Sequence, residues 1–198
     1  MKGSVEQAVK ILKQGGIVVF PSDTTFVISC RMDNSKAVKK LFKIKKRSKN
    51  KAVLVLADSL KMAQEYVWPI GEDVKNKLIN KFWPGPLTII FKANLKKVSS
   101  LVRGGGTTLG VRVPDHKITK LLIKEVGVPL LGPSANFQGD KTPFRIDDLN
   151  SDLISLVDFV LPGTTNNYKK ASTIIDCSVA PWKILRKGAI KLDLRFKI

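Results

Sequence analysis

The chain has 198 residues, 43 % of them hydrophobic, with nine Phe and three Trp, which is enough for one well-filled domain. Lys and Arg total 35 against 16 Asp and Glu, a formal charge of +19. A field of that sign favours nucleic acid or phosphorylated ligands and says nothing about fold, and a lysine-rich composition accounts for it equally well.

No apolar run approaches the ~18 residues needed to cross a bilayer, and Met1-Lys2-Gly3-Ser4-Val5-Glu6 lacks an apolar signal core. The protein reads as soluble and cytoplasmic. Two cysteines, Cys30 and Cys177, make neither a zinc spacing nor a disulfide framework and read as buried, inert thiols.

In chain order, Val5, Ala8, Val9 and Leu12 recur at helical spacing, and Gly15-Gly16 ends that helix before a strand from Ile17 to Phe20. The strand runs into Pro21-Ser22-Asp23-Thr24-Thr25, a cluster of small polar residues. Ala37, Val38, Leu41 and Phe42 mark an amphipathic helix from about Ser35 to Lys45. The run from Ala52 to Ala57 is short enough for a buried strand. Ser59 caps a predicted helix reaching Val67, and Val74, Leu78, Ile79 and Phe82 give another that stops before Trp83-Pro84-Gly85-Pro86. Strands follow at Leu87 to Phe91 and Thr107 to Val113, a helix at His116 to Val126, and a very short strand at Pro129 to Leu131. Beyond Asn136 a helix is expected over Ile146 to Leu156, with strands near Phe159 to Leu161, Ser172 to Ile175 and Ile184 to Arg186. The alternation points to an α/β sheet covered by helices, in one domain over residues 1–198.

Familiar phosphate loops are absent, since Gly104-Gly105-Gly106 fits neither the Gly-x-x-x-x-Gly-Lys nor the Gly-x-Gly-x-x-Gly frame. The only histidine, His116, reads as a helix start, which argues against a Ser-His-Asp site or a His-ligated metal. What remains are polar residues at strand ends: Ser22 to Thr25, Ser134 with Asn136, Ser172-Thr173, and Arg186. In open α/β sheets ligands gather outside the carboxyl ends of strands. Between Ser35 and Lys51 lie nine Lys or Arg and no acid. This run reads either as a solvated helix face with a basic turn or, from Lys45 onward, as cationic groups bordering the sheet and suited to a polyphosphate. Arg112, amid a β-branched run, needs an anionic partner from the protein or a ligand. Phe82-Trp83-Pro84-Gly85-Pro86-Leu87-Thr88 reads as a rigid structural turn with an aromatic anchor.

Taken in register, Pro21-Ser22-Asp23-Thr24, Lys45-Lys46-Arg47, Trp83-Pro84-Gly85-Pro86-Leu87-Thr88, Val111-Arg112-Val113-Pro114, Pro133-Ser134-Ala135-Asn136, Ser172-Thr173-Ile174-Ile175 and Leu185-Arg186-Lys187-Gly188 resemble the YrdC-type threonylcarbamoyl-AMP synthases. The resemblance covers nearly the whole chain. It implies a YrdC-like twisted open mixed sheet flanked by helices, with a basic central cavity, in the short single-domain form. It also implies a nucleotidyltransferase that makes threonylcarbamoyl-AMP and pyrophosphate from L-threonine, bicarbonate and ATP, with Mg²⁺ on the phosphates. Further implications are a role in the threonylcarbamoyladenosine modification of tRNA, contact with tRNA through the basic surface, and delivery to downstream threonylcarbamoyl-transferase proteins.

Carried over residue by residue, Thr24, Arg112, Ser134 and Ser172 form the L-threonine pocket. Lys45, Arg47, Lys51, Thr108, Asn136, Thr142 and Arg186 hold ATP, with Lys45 and Arg47 as the catalytic cations and no metal ligand among side chains. The chain departs from the family pattern at Phe26-Val27-Ile28, where Tyr-Gly-Leu is usual, at Ser48, at Lys51-Ala52-Val53, and at Phe144, where Thr142 is a nearby substitute. A basic RNA- or tRNA-binding module of the same fold without catalysis is the alternative reading. A relative that carbamoylates another acceptor is a further one.

Overall fold

The computed structural model describes residues 2–166 and 168–192. Its elements are α1 Lys2–Lys13, β1 Val18–Pro21, β2 Phe26–Ser29, α2 Ser35–Ile44, β3 Val55–Leu56, α3 Leu60–Gln64, α4 Glu72–Val74, α5 Asn80–Phe82, β4 Leu87–Lys92 and β5 Thr108–Arg112. They continue with α6 Lys117–Val126, β6 Leu130–Leu131, α7 Ser151–Ile154, β7 Phe159–Val160, β8 Thr173–Asp176 and β9 Lys183–Arg186. A π-helical segment, Lys75–Ile79, joins α4 to α5, so the predicted helix around Val74 to Phe82 is present with a widened middle. The helix predicted over Ile146 to Leu156 is instead a 3₁₀ turn, Ile146–Asp148, followed by α7. Asn150 caps α7 by accepting from Leu153 N–H at 3.0 Å, which restarts the helix in a new direction.

The strands form two sheets rather than the single sheet expected. A three-stranded sheet has the order β2-β1-β7, and a six-stranded mixed sheet has the order β6-β3-β5-β4-β8-β9. β2 is an element the sequence reading left out. It pairs antiparallel with β1, Pro21 opposite Phe26 and Val18 opposite Ser29, so the polar cluster after Pro21 is the tip of a tight hairpin. The Ser22 hydroxyl builds that tip: it donates to Thr25 O at 2.8 Å and accepts from the Thr25 and Thr24 N–H groups at 3.3 Å.

The segment after β6 stitches the sheets together. Leu131 N–H donates to Cys30 O at 3.0 Å, Ile28 N–H to Pro133 O at 3.1 Å, and Ala135 N–H to Phe26 O at 2.9 Å. Ser134 is thereby carried alongside β2 and next to the hairpin tip.

Strand alternation divides the six-stranded sheet into two faces. Val55, Leu87, Ile89, Leu109, Val111 and Ile175 point into the main core, where each is 1 % exposed or less. Thr88, Ile90, Gly110, Arg112 and Ile174 point the other way, toward a cavity. A smaller core joins α1 and α6 to the three-stranded sheet through Ala8, Leu12, Val18, Phe20, Leu122 and Ile123. His116 caps α6 as expected, its Nδ1 accepting from Thr119 N–H at 3.3 Å. Among the described residues no helix is long and apolar enough to cross a membrane.

Candidate active site

The cavity has a volume of about 340 Å³ and lies against the open face of the six-stranded sheet. Its floor is Thr88, Ile90, Gly110 and Ile174; its walls are the hairpin tip, the turn after α2, the loop after β6 and the strand ends at Ser172 and Arg186. It therefore occupies a sheet face rather than the space beyond the carboxyl edge. Ser172 precedes β8 and Arg186 ends β9, and the two strands run antiparallel, so both residues reach the same place. Gly110 contributes no side chain to the floor. A Cβ built there would meet Leu54, Thr88 and Ile90 at 3.4, 3.5 and 3.8 Å, which are nearly ordinary contacts.

One end is built from hydroxyls and a buried guanidinium. Arg112 Nη1 donates to Thr24 Oγ1 at 2.6 Å, and Nη2 donates to Ser22 Oγ at 3.3 Å. The anionic partner expected for Arg112 is Asp23, whose Oδ1 stands 3.3 Å from Nη1 with both side chains at most 3 % exposed. That contact is ionic without hydrogen-bond alignment, and among the described residues Asp23 Oδ1 and Arg112 Nε have no hydrogen-bond partner. Burial pushes the Arg112 pKa down and Asp23 opposes the shift.

At the same end Ser172 Oγ lies 2.8 Å from Thr88 Oγ1. Arg186 is exposed overall, yet its guanidinium reaches inward, Nε donating to Ser172 O at 2.9 Å and Nη2 to Ser172 Oγ at 3.0 Å. Burial and the neighbouring Arg112 both lower its pKa. Gly188 permits this approach. A Cβ there would stand 2.3 Å from Ala171 O and 2.5 Å from the Ser172 carbonyl.

The other end is made by Lys45, Arg47 and the loop from Ser134 to Thr142. α2 closes at Lys45, and Lys46 takes a left-handed backbone, φ 51°, that turns the chain back toward the sheet. Lys45 is 3 % exposed. Its Nζ donates to Ser134 O and Asn136 O, each at 2.5 Å, and its own carbonyl accepts from Gln138 N–H at 3.1 Å. Burial, reinforced by Arg47 and opposed by Asp140, brings the Lys45 ammonium down to about 8. Arg47 donates from Nε to Lys51 O at 3.3 Å and from Nη2 to Ala52 O at 2.5 Å, and burial lowers its pKa. Ser134 Oγ donates to Asn136 Oδ1 at 2.6 Å, and Asn136 Nδ2 donates to Asp140 O at 2.7 Å, which folds the loop over the cavity.

Of the residues carried over as threonine or ATP ligands, Thr24, Lys45, Arg47, Arg112, Ser134, Asn136, Thr142, Ser172 and Arg186 line this one cavity. Two stand apart. Lys51 is exposed and supplies its backbone carbonyl to Arg47 rather than its ammonium to the cavity. Thr108 lies at the start of β5, two residues before Gly110, outside the lining. Phe144 is outside it as well, whereas Thr142 is inside. Phe26 and Val27 are at most 1 % exposed and belong to the two cores.

Thr25, from the polar cluster Ser22 to Thr25, lines the cavity too; Thr88 also does and was not anticipated, hidden inside a segment read as a structural turn. Among the described residues the lining includes no carboxylate and no imidazole, and no group of His, Cys, Asp and Glu is gathered to hold a metal. Cys30 is buried and Cys177 only partly so, against expectation; both are free, and burial raises both thiols, Cys177 to about 12. Neither touches the cavity.

Comparison with known proteins places this geometry in a family. A family model named Sua5_yciO_yrdC, described as telomere recombination, matches residues 10–188. A Vibrio vulnificus threonylcarbamoyl-AMP synthase is 31 % identical over 95 % of this chain and 100 % of its own length. A threonylcarbamoyl-AMP synthase of Bacillus subtilis is 30 % identical over 94 % of this chain and 54 % of its own length. The crystal structure of P. abyssi Sua5 complexed with L-threonine superposes with a TM-score of 0.88, at 28 % identity, over 93 % of this chain and 54 % of that one. The chain thus spans about half the length of the Bacillus and Pyrococcus proteins and the full length of the Vibrio one. With a matching family model over most of its length and relatives above 30 % identity across nearly all of it, the chain belongs to the Sua5/YciO/YrdC family.

Proposed function

We propose that the protein is an L-threonylcarbamoyladenylate synthase, a nucleotidyltransferase that joins L-threonine, bicarbonate and ATP into threonylcarbamoyl-AMP with release of pyrophosphate. The observation that carries the reading is the partition of one cavity. Hydroxyls and the buried Arg112 gather at one end, and Lys45 and Arg47 at the other. The first set matches an amino acid with a carboxylate and a hydroxyl; the second matches phosphates.

In this reading the amino acid lies between Thr24, Arg112 and Ser172, with its neutral amino group carboxylated by bicarbonate to a carbamate with loss of water. A carbamate oxygen attacks the α-phosphorus, the bond to the β-phosphate oxygen breaks, and pyrophosphate leaves with that electron pair. The nucleophile belongs to the substrate, so no serine, cysteine or histidine of the protein has to supply one. The protein brings two anions together in line and lowers the repulsion between them with fixed cations.

Lys45, Arg47, Asn136 and Thr142 line the part assigned to ATP, whereas Arg186, which the resemblance gave to ATP, reaches Ser172 at the amino-acid end. Lys51 and Thr108 have no place in this assignment, as they lie outside the lining. Among the described residues the lining offers no carboxylate or imidazole, so a Mg²⁺ accompanying ATP would be held by phosphate oxygens and water and would offset phosphate charge. The product would serve the threonylcarbamoyladenosine modification of tRNA in the cytoplasm, handed to a threonylcarbamoyl-transferring partner.

The test is pyrophosphate release from ATP and bicarbonate, with and without L-threonine. Threonine-dependent release with an adenylate product is expected. Release indifferent to threonine would overturn the reading, and tRNA binding with no turnover at all would favour a non-catalytic RNA-binding module.

A further inference from the structure

Thr88 stands on β4 with its side chain on the cavity floor, 1 % exposed, opposite Ile174 on one neighbouring strand and diagonal to Gly110, the partner of Ile90, on the other. Its hydroxyl oxygen is 2.8 Å from that of Ser172. Ser172 Oγ also accepts from Arg186 Nη2 at 3.0 Å, and a guanidinium has no lone pair to return.

Counting hydrogens then restricts the arrangement. The two hydroxyls own one hydrogen each. One of these lies between the two oxygens, and Arg186 cannot take the other. Whichever hydroxyl donates to its partner, one O–H is left over beside the guanidinium groups of Arg186 and Arg112. The acceptors of this corner are already engaged by the two guanidinium groups, so what it has left to offer is donors, and it is 3 % exposed at Ser172 and 2 % at Arg112. Such a corner suits an anionic acceptor with two oxygens.

We propose that Thr88 is a positioning residue for the substrate carboxylate. Held by a rigid central strand, it fixes the rotation of the Ser172 hydroxyl, so that the spare O–H and the Arg186 guanidinium meet one carboxylate together. Without the Thr88 oxygen, Ser172 keeps its bond from Arg186 but its own hydrogen swings freely, and the carboxylate loses a fixed donor. The inference rests on reading this end of the cavity as the amino-acid site.

The experiment compares Thr88→Val, which keeps the shape and removes the hydroxyl, with Thr88→Ser, which keeps the hydroxyl. For each variant and the unaltered protein, L-threonine binding is measured by calorimetry, KM for threonine and for ATP by pyrophosphate release, and thermal melting alongside. Thr88→Val is expected to raise KM and Kd for threonine about five- to tenfold with KM for ATP unchanged, and Thr88→Ser to restore both to within about twofold. In a Ser172→Ala background the same Thr88→Val change should cost less than about twofold, because its effect passes through Ser172.

Equal losses in Thr88→Val and Thr88→Ser would overturn the inference in favour of simple packing. So would an additive cycle or parallel rises in both KM values. Should Thr88→Val melt below the assay temperature, Thr88→Cys carries the same comparison with a weakly donating side chain. Failure of the unaltered protein to bind threonine or turn over would overturn the functional reading itself, whereas an active protein indifferent to Thr88→Val overturns the inference alone.

Discussion

Arg112 Nη1 stands 2.6 Å from the hydroxyl of Thr24 and 3.3 Å from the carboxylate of Asp23, so a single nitrogen faces the cavity and the protein interior at once. Removing Arg112 leaves Asp23, 0 % exposed, as an uncompensated buried charge. Breaking one side of such a pair costs about 3–5 kcal/mol, whereas replacing both sides with apolar or neutral groups costs far less. Arg112→Met is therefore expected to lose about 3–5 kcal/mol in urea unfolding. Adding Asp23→Asn should recover most of that loss without recovering threonine binding, which separates the arginine's part in folding from its part in the site.

Lys45 gives a pH dependence with a defined sign. Its ammonium is held down to about 8 by burial, below the usual ~10.4 of a lysine. Between those values the unfolded chain binds more protons than the folded one, so this group's contribution to stability grows as pH rises from about 8 toward 10.4 and is lost as pH falls through 8. The chemical shift of the Lys45 ε-carbon should titrate with a midpoint near 8. The protonated form is the one that clasps the carbonyls of Ser134 and Asn136. Turnover should therefore decline as pH rises through about 8, and Lys45→Arg should remove that descending limb.

Arg47 holds the carbonyls of Lys51 and Ala52 while lining the Lys45 end of the cavity, the end proposed for phosphates. Arg47→Ala is expected to raise KM for ATP about ten- to a hundredfold and leave the calorimetric Kd for threonine within about twofold, since charge-assisted contacts to phosphate are worth roughly 1.5–3 kcal/mol. A loss shared equally by both substrates would mean that the arginine supports the fold of the turn instead.

Gly188 sits where β9 leaves the sheet against the backbone of Ser172. A methyl group there has no room against the Ala171 and Ser172 carbonyls, and overpacking of this kind costs about 1–3 kcal/mol. Gly188→Ala should melt earlier and also raise KM for threonine, because relief of the clash pulls Arg186 away from Ser172. Gly105→Ala, with open space around its Cβ but a backbone φ of 82°, should lower stability without touching KM.

Most of the helices and strands were legible because their periodicity was strong. α2 repeats Ala37, Val38, Leu41 and Phe42 on one face, and β4 alternates core and cavity. β2 escaped because Phe26-Val27-Ile28 follows directly on a polar cluster, and only the hydrogen bonds of Ser22 show that cluster to be a two-way turn. The run from Ala52 to Ala57 gave a two-residue strand, since pairing depends on where β5 and β6 lie alongside it.

In the site, Thr24, Arg112, Ser134 and Ser172 could be read from motif order, but the side on which a basic residue faces could not. Lys45 and Lys51 look alike in the sequence. The left-handed turn at Lys46 and the return at Ser48 bury the first and expose the second. Thr88 was missed because its role depends on Ser172, 84 residues away, which no local pattern reveals.

Gly110 leaves the strand around it unstrained and the cavity floor open. Folding and ligand accommodation therefore respond to this position independently. A chain with alanine there would assemble, melt and express as before while its substrate met a raised floor. Such a change would escape every measurement made on the empty protein.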